Sequence, residues 1–128
     1  MSPINMQKLE SGIRLGAALL ERINNHKIDA IMKLFDDNCV MEPFLAGSAG
    51  ARLIGKVETR KYFELLLAGR SNLHYSTEEI LGFGHRCIIR WSCSWQDGAG
   101  ARQSLRGVDI IREKNDLICE ILSYGKLE

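Results

Sequence analysis

The second half of the chain is a succession of four strand-like runs, residues 73–81, 86–96, 102–113 and 117–124. They are separated only by Gly-Phe-Gly at 82–84, Asp-Gly-Ala-Gly at 97–100 and the pair Asn115 and Asp116. Turns this short join antiparallel neighbours, because a parallel crossover needs roughly a dozen residues or more. An antiparallel meander is therefore expected, and it fixes what the first half must do: supply helices to cover one face of that sheet. Met6, Leu9, Ile13, Ala17, Leu20 and Ile23 recur at steps of three and four, which places them on one helical stripe. Asn24, Asn25 and His26 interrupt the pattern, and Ile28, Ile31, Met32 and Phe35 restart it as a short second helix ending near residues 36–38. Residues 39–42 read as a short strand stopped by Pro43, and residues 46–50 (Ala-Gly-Ser-Ala-Gly) as a flexible loop at a pocket mouth. A third helix is expected over 56–68, with Gly69 as its stop. Helices followed by a curved sheet make an α+β domain whose concave side encloses a cone-shaped cavity.

The length of 128 residues suits one domain with a real core. Seventeen basic against sixteen acidic residues, with no block of like charge, argue against a nucleic-acid binder. No uncharged stretch approaches the roughly 20 residues that span a bilayer, so no membrane partner is expected. Cys39, Cys87, Cys93 and Cys119 lie in or beside apolar runs without metal-type clustering. With no signal-like segment ahead of them, they read as reduced thiols in a cytoplasmic protein that uses no metal.

Two acids stand out. Asp109 sits among apolar neighbours on a strand, where a carboxylate must be solvated, paired or protonated, and Glu42 ends a short apolar run just before Pro43. Trp91 and Trp95, four residues apart, share a strand face and are candidates for an aromatic pocket wall. Phe44, Tyr62 and His74 complete the set of candidate pocket residues. Each has a structural alternative: Asp109 as an acceptor for nearby donors, Glu42 as an exposed strand end, the tryptophans as core or dimer interface. Arg106 and Arg112 stand three residues either side of Asp109, an offset that points them to the opposite face.

The order of these elements resembles the NTF2-like superfamily, which includes ketosteroid isomerases, SnoaL-like polyketide cyclases and scytalone dehydratase. The carriers are residues 24–37, then Val40, Met41, Glu42 and Pro43, then 55–63 (Gly-Lys-Val-Glu-Thr-Arg-Lys-Tyr-Phe), then 107–112 (Gly-Val-Asp-Ile-Ile-Arg) and 118–124. The resemblance implies one domain over residues 1–128 with an α+β, NTF2-like or cystatin-like roll. Its curved sheet is mixed but mainly antiparallel and wraps around the N-terminal helices.

It also implies roles. Glu42 falls where ketosteroid isomerases keep the carboxylate that moves a proton next to a carbonyl. Asp109 falls where they keep a protonated aspartic acid that supports the enolate, a pairing known as a worked case of carboxyl tuning. The tyrosine those enzymes carry on the first helix corresponds to about Leu19, which removes one oxyanion donor and speaks against steroid isomerisation as such. Epoxide hydrolysis would need an arginine on the Asp109 face, and dehydration of the scytalone type would need converging histidines, for which only His74 and His85 are at hand. Cyclase-like proton transfer, free of metal and cofactor, fits the available residues. The expectation is thus a binder of a small apolar or carbonyl-containing molecule. It acts as a cofactor-free acid/base isomerase, cyclase or dehydratase through Glu42 and Asp109, or alternatively as a non-catalytic binding module. Val108 and Ile110, opposite Asp109, offer a sheet surface for a homodimer.

Overall fold

The computed structural model describes residues 3–44 and 51–127, with side chains from residue 11 onward. The loop expected over 46–50, and the side chains of Met6 and Leu9, lie outside these. The elements run α1 (Pro3–Asn24), α2 (Ile28–Met32), β1 (Phe35–Glu42), β2 (Leu53–Ile54), α3 (Lys56–Ala68), β3 (Ser71–Phe83), β4 (Arg86–Gln96), β5 (Arg102–Lys114) and β6 (Leu117–Leu127). One sheet holds all six strands in the order β2-β1-β6-β5-β4-β3. The last four form the antiparallel meander, while β1 lies parallel to β6, so the sheet is mixed. The fold is the α+β roll that the meander and the preceding helices imply. No helix among the described residues is long and apolar enough to cross a membrane.

Period-two alternation divides the sheet into two faces. Met41, Ile121, Ile111 and Cys87 lie on neighbouring strands in one row, all buried. Ser123, Asp109 and Ile89 form the next row, and Gly125, Gly107 and Trp91 the one after. These rows face the helices. A register shift between Thr77 and Glu79 puts Glu78 and Glu79 together on the outer side, where they pair with Arg106 and Arg90.

The helical stripe is rotated from the one expected. Ala17 is exposed, and Ser11, Gly12, Leu15, Gly16, Leu19, Leu20 and Ile23 are buried. The reason is close approach: a Cβ at Gly16 would stand 2.9 Å from Cys87 Sγ, so glycines bring α1 onto the sheet where larger side chains would hold it away. The second helix is also shorter than its pattern. Phe35 already belongs to β1, opposite Ile118, and the Ile118 N–H donates to the Leu34 carbonyl at 2.7 Å. The polar triplet at 36–38 occupies a register shift within that strand rather than a helix end.

Candidate functional site

Glycines build the floor of the cone. A Cβ at Gly107 would lie 2.4 Å from two atoms of the Trp91 ring, and one at Gly125 would lie 2.8 Å from the Phe44 ring. Only bare backbone lets these two rings lie against the sheet. There they meet with centroids 5.1 Å apart, and Tyr75 from β3 packs on the other side of Trp91 at 4.9 Å. Phe44, Trp91 and Tyr75 thus form an aromatic layer. Tyr62, from α3, packs edge-on against Phe63 and is also buried.

Asp109 lies two residues along β5 from Gly107, about 7 Å deeper into the cone. Its side chain is buried between Ile89 and Ser123 on the flanking strands. Burial pushes its pKa up to about 6, because the low-dielectric interior penalises the ionised form; the nearby Ser123 hydroxyl and Trp91 indole draw it part of the way back. Even so, Asp109 Oδ1 and Trp91 Nε1 each end without a hydrogen-bond partner. A buried polar atom left unpaired costs about 1–3 kcal/mol. Two of them side by side, beneath an aromatic layer, are suited to meet a polar atom of a ligand. Burial, reinforced by the Asp109 charge, raises the Tyr62 pKa. The Tyr75 phenol is raised first by burial and then by its neighbours, Asp109 among them. Both phenols are therefore hydrogen-bond donors at neutral pH.

On the other side of the aromatic layer the side chains leave only narrow gaps, too tight to admit a water molecule. Phe44, Leu66, Leu73 and Tyr75 form part of their wall, and Cys93, Trp95 and Leu105 the rest. Their one charged lining residue is Arg70, whose guanidinium stacks over Trp95 at 5.2 Å. Among the described residues no three His, Cys, Asp or Glu side chains converge as metal ligands.

A buried strand carboxyl at the bottom of a helix-capped cone can be placed among known proteins. The family model of the SnoaL-like domain matches residues 17–121. The chain belongs to the SnoaL-like domain family. Solved structures of the same fold include an epoxide hydrolase of the LEH-like type from Mycobacterium tuberculosis, at 17% identity and a TM-score of 0.77, covering 92% of this chain and 84% of that one. An NTF2-like protein of unknown function from Mesorhizobium loti shares 24% identity with a TM-score of 0.75, covering 93% of both chains. A second M. tuberculosis protein, solved with estradiol-17β-hemisuccinate, shares 18% with a TM-score of 0.79, over 89% of this chain and 92% of that one. No curated protein matches the sequence.

Within this SnoaL-like domain the expected site residues separate. Asp109, Trp91, Trp95, Phe44 and Tyr62 all belong to the interior. Glu42 does not: it stands opposite Leu122 on the outer face, and its carboxylate accepts from Arg52 Nη1 at 3.0 Å. His74 is likewise exposed on the outer side, opposite Ser94, because Leu73 and Tyr75 on either side of it take the inner positions. Arg106 and Arg112 also face outward, toward Glu78 and Glu120. Tyr75, Arg70 and Ser123 are interior residues that the sequence reading missed. Tyr75 and Ser123 were detectable by parity, since they share the inner alternation of Trp91 and Asp109.

Proposed function

We propose that this SnoaL-like protein binds a small, largely apolar molecule bearing a carbonyl or hydroxyl oxygen inside the cone, with the buried Asp109 as its acid/base. The observation that carries the reading is the buried Asp109 carboxyl, raised to about 6, with its Oδ1 left without a partner close to the Trp91 indole. Near neutral pH such a group is mostly ionised yet readily reprotonated, the condition under which one carboxyl both takes and returns a proton. In the proposed step the Asp109 carboxylate removes a proton from the carbon next to a carbonyl. The C–H electron pair becomes the enolate C=C as the carbonyl π pair moves onto oxygen. That oxygen accepts a hydrogen bond from a phenol, Tyr62 or Tyr75, in place of the tyrosine absent from α1. Return of the proton to another carbon gives isomerisation, and attack of the enolate carbon on a second carbonyl gives cyclisation. The same-fold protein solved with estradiol-17β-hemisuccinate supports an apolar, oxygen-bearing ligand.

Deuterium uptake next to the carbonyl tests the step. A panel of cyclic ketones incubated with the protein in D2O should exchange faster than buffer, and Asp109→Asn should abolish the excess. Equal exchange by the variant would remove the acid/base role. The non-catalytic reading, in which the cone is filled largely by its own side chains, is favoured by two observations: Glu42 is outside the cone, and the gaps under the aromatic layer do not admit a water. It expects no exchange at all.

We also infer a homodimer through the outer face of the sheet. Leu81, Ile88, Ile110 and Leu122 stand side by side on four neighbouring strands there, an apolar row that supports pairing with a second copy.

A further inference from the structure

We infer that the groove where the ends of β1, β5 and β6 meet the β3–β4 turn is a second binding site, separate from the cone, and that it takes a small primary ammonium ion through the buried carboxylate of Glu113. The inference does not depend on what the cone binds.

Glu113 lies at the end of β5, just past the register shift that separates it from Arg112. Its backbone N–H donates to the His85 carbonyl at 2.7 Å, which ties the strand end to the turn. Its side chain is only 2% exposed, yet Oε2 has no hydrogen-bond partner. Oε1 is turned toward His85 and stands 4.0 Å from Nδ1, too far for a hydrogen bond. A carboxylate so deeply placed is ordinarily paired or hydrogen-bonded, because an uncompensated charge is costly to withdraw from water.

Glu113 and His85 both line a groove of about 500 Å³, as do Asp36, Val40, Arg112 and Lys114. That volume admits water and lies within the range of small-molecule sites. The two cations of the groove do not compensate Glu113: Arg112 directs its guanidinium to Glu120 at 3.9 Å, and Lys114 forms no ion pair among the described residues. Asp36 adds a second acid to the lining.

A primary ammonium supplies what this carboxylate lacks. It brings a full positive charge and three N–H donors on one small atom, which can stand about 2.8 Å from a carboxylate oxygen. Val40 offers its carbon chain an apolar wall. A quaternary ammonium of the same length has the charge but no N–H, and its methyl groups hold the charge away from the oxygen. An alcohol donates one hydrogen bond and leaves the acid uncompensated. Each should bind about ten-fold more weakly or worse.

The test is a proton magnetic resonance titration. The chain has three histidines, so the ring resonances of His85 are identified by their loss in His85→Gln. Butylammonium, butyltrimethylammonium and 1-butanol are added at pH 8 and constant ionic strength to the wild type and to Glu113→Gln, with circular dichroism melting to confirm folding. Expected is a saturable shift of the His85 resonances with butylammonium, about ten-fold weaker or worse with the other two probes and with Glu113→Gln. His26 and His74 should stay unmoved. Absence of a saturable shift with butylammonium would overturn the assignment. An equal response to butyltrimethylammonium would overturn it too, since charge alone would then explain the effect, as would undiminished binding by Glu113→Gln. If Glu113→Gln melts early, the ratio between the two cations on the wild type decides.

Discussion

Glu42 and Asp109 lie on opposite faces of one sheet: Glu42 stands beside Leu122 and Asp109 beside Ser123, consecutive residues of the same strand. The two carboxylates cannot serve one reacting molecule. Glu42→Gln is expected to leave ligand affinity and any turnover within about two-fold of wild type. Stability should change by less than about 1 kcal/mol, because the lost partner Arg52 is more than half exposed and solvent screens the pair. Urea unfolding and the deuterium exchange of the ketone panel check both. A large loss of exchange would mean that Glu42 reaches the ligand after all.

Asp109 gives the opposite expectation, and its sign follows from burial. The carboxyl is held at about 6 against an ordinary value of 3.8, so the folded state favours its protonated form. The contribution is fully present below about 3.8, fades as the unfolded chain ionises, and is gone above about 6. At about 1.4 kcal/mol per pH unit this amounts to about 3 kcal/mol. Asp109→Asn lacks it. The variant should gain up to about 3 kcal/mol relative to wild type between pH 4 and pH 7, measured as the difference of two urea stability curves. A difference that stays flat with pH would show an ordinary, solvated carboxyl.

Gly107 tests the aromatic floor. A methyl group there collides with two Trp91 ring atoms and, at 2.5 Å, with the Tyr124 carbonyl, which is backbone and cannot swing away. Gly107→Ala should cost about 3 kcal/mol or more in urea unfolding. Gly98→Ala, at a hairpin tip with nothing within 4 Å, should cost less than about 0.5 kcal/mol. Similar costs at the two positions would mean that Trp91 does not lie against Gly107.

The meander was legible because its punctuation is chemical. Asn115 and Asp116 adopt φ of 52° and 66°, and Gly84 and Gly100 adopt 61° and 82°, the left-handed conformations that these residue types tolerate. The bounds of α3 were legible for a similar reason, set by Gly55 before it and Gly69 after it. Less was visible where the pattern is degenerate. In β1 both Met41 and Val40 are apolar, so alternation did not say whether Glu42 faced in or out; the pairing with β6 decides it. Gly12 and Gly16 carry no apolar side chain, so the apolar pattern passes over them although both lie against β4, where an added Cβ would meet Arg86 and Cys87. Arg70 follows a helix in a turn, where no periodicity reports direction, and only the packed structure turns it inward.

The outer face supplies the last expectation. Leu81, Ile88, Ile110 and Leu122 run across four strands as neighbours, and Ile88 and Leu81 are 36% and 55% exposed. On the adjoining rows lie Arg90, Val108 and Tyr124 on one side and Arg86, Arg112 and Glu120 on the other. An apolar centre flanked by both signs of charge is self-complementary about a two-fold axis, which is the requirement for an isologous dimer. Ile110→Glu places a carboxylate at the middle of that row, where a second copy would desolvate it without a partner. Sedimentation equilibrium at micromolar concentration should give twice the chain mass for wild type and the single chain mass for Ile110→Glu, with far-ultraviolet circular dichroism unchanged. A wild-type protein that sediments as a single chain would show that this row is simply solvated, and that Ile88 and Leu81 are exposed in the working form of the molecule.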